Sequence, residues 1–272
     1  MKYTIKHLQR DFPNDDVCLD YIFRNRFPEC VGDYYRVKGR KCYANIDGEQ
    51  IHPLAGTIFH KSSTPLTTWF YAIYLFSASK NGVSACELQR QLGTTYKCAW
   101  RIANHIRKLM KQDKELLSGV VEVDETYWGG RRRVKVKMSN KLAIMGMVER
   151  GGSIRVKRIP NRETHILLNN IKGNVSRDSS IITDDWNAYR KVPKLGYKGT
   201  TIKHSKQRYV AGDIHTNTIE GWWSQFKRSV HGSYHSVSRK YLQSYLDEFA
   251  FRYNLRDDEA PVFQWLLLRL VK

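Results

Sequence analysis

From residue 61 to residue 118 the apolar positions recur at helical spacing. Pro65 opens an apolar helix through Trp69, Ile73 and Phe76, and Asn81-Gly82 ends it. The run VSACELQRQLGTTYKCAWRIANHIRKLM then reads as two helices around a tight turn. Leu88 and Leu92 form the apolar side of the first, Gly93 supplies the turn, and Ala99, Ile102, Ile106 and Leu109 form the buried side of the second. Ser84 with Glu87 makes a capping box, and Thr94 or Thr95 caps the second helix. This is helix-turn-helix spacing, with Tyr96, Lys97, Trp100, Arg101 and His105 facing outward, although an ordinary helical hairpin carries the same pattern.

Beyond residue 118 the period shortens to two. Val121 and Val123 alternate with polar residues in VVEVDETYWGG, which predicts a strand over 119–127. Further strands are expected at 142–149 (LAIMGMVE), 153–159 (SIRVKRI), 179–183 and briefly near 200–204. Helices are expected at 162–172, at 185–191 (short) and at 216–230, the last with the apolar stripe Ile219, Trp222, Trp223, Phe226 and Val230. Three strands followed by alternating helices and strands is the ribonuclease-H-like α/β order, in which the first and fourth strands are neighbours. A final stripe of Tyr241, Leu242, Tyr245, Leu246, Phe249 and Tyr253 is expected to cover that sheet rather than to form a dimer interface.

The first sixty residues are marked mainly by their cysteines. They hold Cys18, Cys30 and Cys42, with Pro28 just before Cys30. A zinc ribbon needs two close cysteine pairs, but Phe27 stands where the partner of Cys30 belongs, and Ala44 and Asp47 stand where a second knuckle falls. A metal site from Cys18, Cys30, Cys42 and His52 is one reading; buried structural thiols are the preferred one.

Composition narrows the function. The longest apolar run, WFYAIYLF at 69–76, suits a buried helix and falls short of the roughly 20 residues of a membrane span. Charges interrupt the apolar positions of the first twenty residues, so no signal peptide is expected. Five cysteines among 272 residues argue for a reducing compartment rather than a disulfide scaffold. The formal net charge is +20, and phosphate-bearing nucleic acid is the partner that such a surface suits best. Of that excess, +6 lies in residues 61–118 and +14 in residues 119–256, densest at Arg131, Arg132, Arg133, Lys135, Lys137 and Lys141.

Three carboxylates stand out against this basic background. Asp124 lies in the first strand, Asp184 at the end of the Ile181-Ile182 run, and Glu220 in the 216–230 helix. Phosphodiester cleavage needs an activated water or 3′-hydroxyl and a stabilised leaving oxygen, which two Mg²⁺ ions roughly 3.5–4 Å apart provide. Mg²⁺ prefers carboxylate oxygens. Adjacent strands one and four bring Asp124 and Asp184 to one metal site, and the helix brings Glu220 over them. Each acid has a plainer reading. Glu122 or Glu125 competes with Asp124; Asp184 caps a helix beginning at Asp185, or the two exchange roles; Glu220 closes a capping box with Asn217. Lys227, two helical turns after Glu220, points to a phosphate at that site or, with Arg228, to solvent. His215 and Asn217 line the site or cap the helix.

At these residues the chain resembles the DDE transposases of bacterial insertion sequences of the ISXO-like type, relatives of the Merlin transposons. The matching stretches are GTIFHKSSTPLTTWFYAIYLFSASKNGVSACELQRQLG, VEVDETYWGG, TDDWNAY and HTNTIEGWWSQFKRSVHGSYHSVSRKYLQSYLDEFAFRYN, in that order over about residues 56 to 255. The resemblance implies a DNA transposase that binds inverted terminal repeats, cleaves strands and joins 3′-ends to target DNA. It implies Asp124, Asp184 and Glu220 as the catalytic, metal-holding acids and Lys227 as the lysine that follows them. Two Mg²⁺ ions are the expected cofactors, with Mn²⁺ able to substitute. The family's N-terminal zinc ribbon is degenerate here, since Cys30 remains but the CxxC pairs do not.

The expected organisation is a degenerate ribbon-like domain over 1–60, a helix-turn-helix region over 61–117, a ribonuclease-H-like domain over 118–256 and a C-terminal helix over 257–272. Double-stranded DNA, both transposon ends and target, is the expected partner. Tyr96, Lys97, Arg101, Arg131, Arg132, Arg133, Lys135, His215, Asn217, Lys227 and Arg228 are its expected contacts. A homodimer in the bacterial cytoplasm, nucleoid-associated when DNA-bound and not at a membrane, completes the expectation. Its rivals are a non-catalytic DNA-binding regulator and a stand-alone nuclease.

Overall fold

A computed structural model describes residues 3–129, 141–184, 187–202 and 215–271, with the backbone alone for 199–202. The chain divides into two compact units, Met1–Met110 with Asp257–Lys272, and Lys111–Arg256.

The first unit begins with α1 (Ile5–Asp11) and α2 (Asp15–Arg26), the latter capped by the Asn14 side chain, which accepts from the Val17 N–H. A small antiparallel sheet follows, made of β1 (Tyr35–Arg36), β2 (Tyr43–Ala44) and β3 (Gln50–Ile51). Phe23 of α2 stacks on Tyr43 with ring centroids 3.8 Å apart. Cys18 and Cys42 are buried, and burial pushes the Cys18 thiol up to about 12. Among the described residues no group of three or more His, Cys, Asp or Glu is placed to hold a metal.

The helical segment shares a core with these elements. Pro65 precedes α3 (Leu66–Ala78), whose Leu66, Trp69, Phe70, Ala72, Ile73 and Phe76 are buried. Asp15 accepts both the Thr67 N–H and the Thr67 hydroxyl at 2.9 Å, so residues 1–60 and 61–110 form one body rather than two. The pair α4 (Ala85–Leu92) and α5 (Tyr96–Leu109) is joined by a tight turn in which Gly93 takes the left-handed φ of 60°. Ser84 accepts the Glu87 N–H at 3.1 Å, but the Glu87 carboxylate is drawn to Arg90 and Gln91, so the capping box closes on one side only. Thr95, not Thr94, caps α5.

The second unit is a five-stranded mixed sheet with helices on both faces. Its elements are β4 (Val120–Trp128), β5 (Leu142–Glu149), β6 (Ile154–Ile159), α6 (Thr164–Asn174), β7 (Ser180–Asp184), β8 (Lys198–Ile202), α7 (Asn217–Ser229) and α8 (Leu242–Asn254). The strand order is β6-β5-β4-β7-β8. The first three strands pair antiparallel, and β7 lies beside β4 in parallel register with Val121 opposite Ile181. This is the first-beside-fourth relation expected from the element order. α6 starts two residues later than its pattern suggests, because Asn161 and Glu163 close a turn on each other just before it.

Alternation along β4 divides the core. Val121 and Val123 face α6 with Leu167, Leu168 and Ile171. On the opposite face Ile144, Val148, Ile154 and Val156 of β5 and β6 meet Ile219, Trp222, Trp223 and Phe226 of α7 and Leu242, Leu246, Phe249 and Ala250 of α8. The α8 stripe thus covers the sheet. At the edge strand β6 the outward N–H groups of Ile154, Val156 and Arg158 donate to the side-chain amides of Asn254, Gln112 and Gln243 at 2.7–2.8 Å. Such pairing shields the edge from another strand. The last helix, α9 (Val262–Leu270), belongs to the first unit; Phe263 stacks on Tyr3 at 4.5 Å, and Arg269 donates to the Leu109 carbonyl.

Candidate active site

Because strand side chains alternate, Glu122, Asp124, Thr126 and Trp128 all leave β4 on the face that α7 covers. Each meets α7 or the chain around it. Glu122 is completely buried and accepts the N–H groups of Thr218 (2.9 Å) and Ile219 (3.1 Å), the Thr218 hydroxyl (2.9 Å) and the Arg150 Nε–H (2.7 Å). Asp124 accepts the Trp223 indole N–H at 3.0 Å. Thr126 accepts from the Lys227 ammonium at 2.8 Å. Trp128 packs on Phe226 at 5.4 Å.

Gly146 makes this approach possible. It pairs with Asp124 across β4 and β5, and a Cβ there would stand 2.7 Å from both Ile219 Cδ1 and Trp223 Cζ2. Only a residue without a side chain lets the Trp223 ring lie over the sheet and point its N–H at Asp124.

Asp184 ends β7, two residues beyond Ile182, which pairs with Glu122. Asp184 and Asp124 therefore sit at matching heights on adjacent strands, on the same face. Glu220 comes from the first turn of α7. Burial pushes the Asp124 carboxyl up to about 6; hydrogen bonds from the Glu125 backbone and Trp223 oppose the shift, and the charges of Asp184 and Glu220 add to it. The three acids thus share one electrostatic neighbourhood.

Glu125 points the other way. Its carboxylate is bound by Arg162 at 2.8 and 3.0 Å, and Arg162 lies over the Tyr127 ring. Burial still pushes Glu125 up to about 7 against the attraction of Arg162. Both alternative acids thus have partners of their own, Glu122 at the start of α7 and Glu125 at Arg162.

The remaining expected site residues are placed as follows. α7 begins at Asn217 behind Thr216, so Glu220 makes no box with Asn217; its carboxylate instead accepts the Thr216 hydroxyl at 2.8 Å. Asn217 and Arg228 are exposed, and Lys227 is half-buried. His215 is tied inward, with its carbonyl accepting from Arg150 at 2.7 Å and its ring Nδ1 3.1 Å from the same guanidinium. In the first unit Tyr96 and Lys97 are exposed at the start of α5. Arg101 lies over Trp69 and donates to Ser62 and Thr64 at 3.2 Å, which turns its guanidinium onto its own unit. Arg131, Arg132, Arg133 and Lys135 lie outside the described residues, as does Asp185.

Sequence reasoning passed over the roles of Trp223, Thr126, Arg150 and Gly146. The signal for Thr126 was present, since Glu122, Asp124 and Thr126 share one strand face by period two alone. Trp223 reads as core in sequence because its indole is apolar except for one N–H.

A family match falls on this same region. The model of the ISXO2-like transposase domain matches residues 116–254. An uncharacterised protein in transposable element ISH50 of Halobacterium salinarum is 24% identical over 237 residues, 80% of this chain and 79% of that protein. An uncharacterised transposase-like protein of Haemophilus influenzae is 25% identical over 114 residues, 42% of this chain and 89% of that one. Among solved structures, the chain aligns with one from the Mos1 strand transfer complex at a TM-score of 0.33 and 11% identity, covering 72% of this chain and 73% of that one. It also aligns with one from the simian T-cell lymphotropic virus intasome in complex with PP2A regulatory subunit B56 gamma, at a TM-score of 0.31 and 15% identity. That alignment covers 66% of this chain and 64% of that one. The domain match takes in β4, β7 and α7, the elements that carry the three acids, and the chain belongs to the ISXO2-like transposase family.

Proposed function

We propose that this transposase cleaves DNA at the ends of its element and joins the 3′-ends to target DNA, with Asp124, Asp184 and Glu220 as the catalytic acids. One observation carries the reading: β4, β7 and α7 bring these acids to one sheet face, where the charges of Asp184 and Glu220 act on Asp124. The donor set suits divalent cations. All three are hard carboxylate oxygens, and Asp124 is raised by burial and by its acidic neighbours, a penalty that a cation between them relieves. Bound Mg²⁺ or Mn²⁺ would supply water or hydroxyl activation and leaving-group stabilisation. Asp124 and Asp184 would hold it, with Glu220 completing the set. These acids are not drawn into a closed ligand cluster among the described residues.

The chain's own groups then divide the work. The Trp223 N–H fixes the Asp124 carboxylate, and Thr126 holds the Lys227 ammonium on the same face, where it can meet a phosphate oxygen. Arg228 and Asn217 extend that surface. The α4–α5 pair, with exposed Tyr96 and Lys97, is assigned to binding the terminal repeats, and two copies of the chain to pairing two ends.

Labelled terminal-repeat DNA incubated with the protein and Mg²⁺ tests the reading. Cleaved and joined products, both lost in Asp184→Asn, are expected. Binding without metal-dependent cleavage would overturn it in favour of a regulator, and cleavage without joining in favour of a nuclease.

A further inference from the structure

We infer that Glu122 is a positioning residue that holds the first turn of α7, and with it Glu220, at a set height over the sheet. The inference deepens the proposed function and rests on it for the role of Glu220. The side chain of Thr216, at the N-cap of α7, makes no capping bond to the helix backbone. The free amides of a helix's first turn need acceptors when buried. Here the acceptor comes from the neighbouring strand. Glu122 Oε2 takes the N–H groups of Thr218 and Ile219, while Oε1 takes the Thr218 hydroxyl and the Arg150 guanidinium.

Every one of these partners donates. An acceptor-only carboxylate satisfies all of them, whereas the Gln amide puts a donor against donors in either orientation. Arg150 completes the clamp. It bonds Glu122 through Nε and the His215 carbonyl through Nη2, so the chain entering the helix is tied to the same carboxylate. Glu122 and Asp124 are two residues apart on one rigid strand. Glu220 follows Ile219 directly. The clamp therefore joins the strand carrying one catalytic acid to the helix turn carrying another, with a single side chain between them. A negative charge at the positive end of the helix adds to its grip.

Amide hydrogen exchange on the metal-free, full-length protein tests the geometry without relying on activity. In Glu122→Gln, exchange at Thr218, Ile219 and Glu220 is expected to rise by about tenfold or more, while β5 and α8 stay protected. Thr218→Val removes only the hydroxyl donor and is expected to give a smaller rise at the same amides; it stands in if Glu122→Gln fails to fold. Strand cleavage supplies the second readout. Glu122→Gln is expected to need several-fold more Mg²⁺ for half-maximal cleavage, with DNA affinity unchanged and excess Mn²⁺ restoring part of the rate. A merely destabilising change would lower the active fraction and leave that metal requirement where it was. Unchanged exchange at 218–220 in both variants overturns the inference. So does raised exchange with a wild-type metal requirement. If the parent protein itself cleaves nothing, the proposed function fails, and exchange alone decides the clamp.

Discussion

Replacing Gly146 by Ala probes the close approach of α7 to the sheet. Gly146 lies within β5 with an ordinary strand φ, so Ala fits its backbone. In open space the change would stabilise by about 0.4–1 kcal/mol, through a less flexible unfolded chain. Here the new Cβ would stand 2.7 Å from Ile219 Cδ1, 2.7 Å from Trp223 Cζ2 and 3.0 Å from Trp223 Cη2. Ile219 can turn its terminal methyl, but the Trp223 ring is buried, rigid and hydrogen-bonded to Asp124. Overpacking of this kind costs about 1–3 kcal/mol, which reverses the sign. For a protein of this size the melting temperature is expected to fall by roughly 2–12 °C. Ile219→Val deletes one of the clashing atoms. In the Gly146→Ala background it is expected to cost at least about 0.5 kcal/mol less than in the parent. Urea unfolding of the four proteins measures both quantities. A Gly146→Ala protein as stable as the parent, or more so, would refute the packing of Trp223 over the sheet.

Three further outcomes follow from the same geometry. Trp223→Phe keeps an aromatic ring but removes the N–H donor to Asp124 together with part of the buried indole, and is expected to lower stability at pH 8 by about 1–3 kcal/mol; an unchanged urea midpoint would count against that bond. Gln112→Ala leaves the Val156 N–H and carbonyl on edge strand β6 without that partner, so about 1–3 kcal/mol is lost and concentration-dependent aggregation in light scattering should increase. Burial raises the Asp247 carboxyl above the usual range, against hydrogen bonds from Gln112 and Gln243. A raised folded-state value means the favourable contribution is complete below the unfolded value and is lost as pH rises through the folded one. Asp247→Asn keeps an acceptor oxygen and removes the titration. It should therefore match or exceed the parent in stability at pH 7, with the advantage shrinking toward pH 4, and a variant less stable at every pH would refute the sign.

Periodicity made much of the second unit legible. The change from helical to two-residue spacing near residue 119 placed β4, β5, β6, α6, β7 and α7 within a few residues of their bounds, because each element buries a face whose apolar positions must repeat with its own geometry. The order of those elements carried the adjacency of β4 and β7, since a parallel partner needs a crossover and α6 supplies one. The helical pair around Gly93 was equally visible, because left-handed φ favours glycine.

What the tertiary structure alone decided lies between elements far apart in the chain. Nothing local sets residues 1–60 against α3, or returns α9 to the first unit; buried contacts such as Asp15 with Thr67 and Tyr3 with Phe263 do that. Nor does local sequence separate the three acids of EVDE. In one strand Glu122 becomes the buried anchor of α7, Asp124 the acceptor of the Trp223 indole N–H and Glu125 the partner of Arg162. Alternation sends Glu122 and Asp124 to the α7 face and Glu125 to the other, but only the packed helix decides which acid meets two backbone N–H groups and which meets an indole. The role of each carboxylate was set by the donors that folding brought to it.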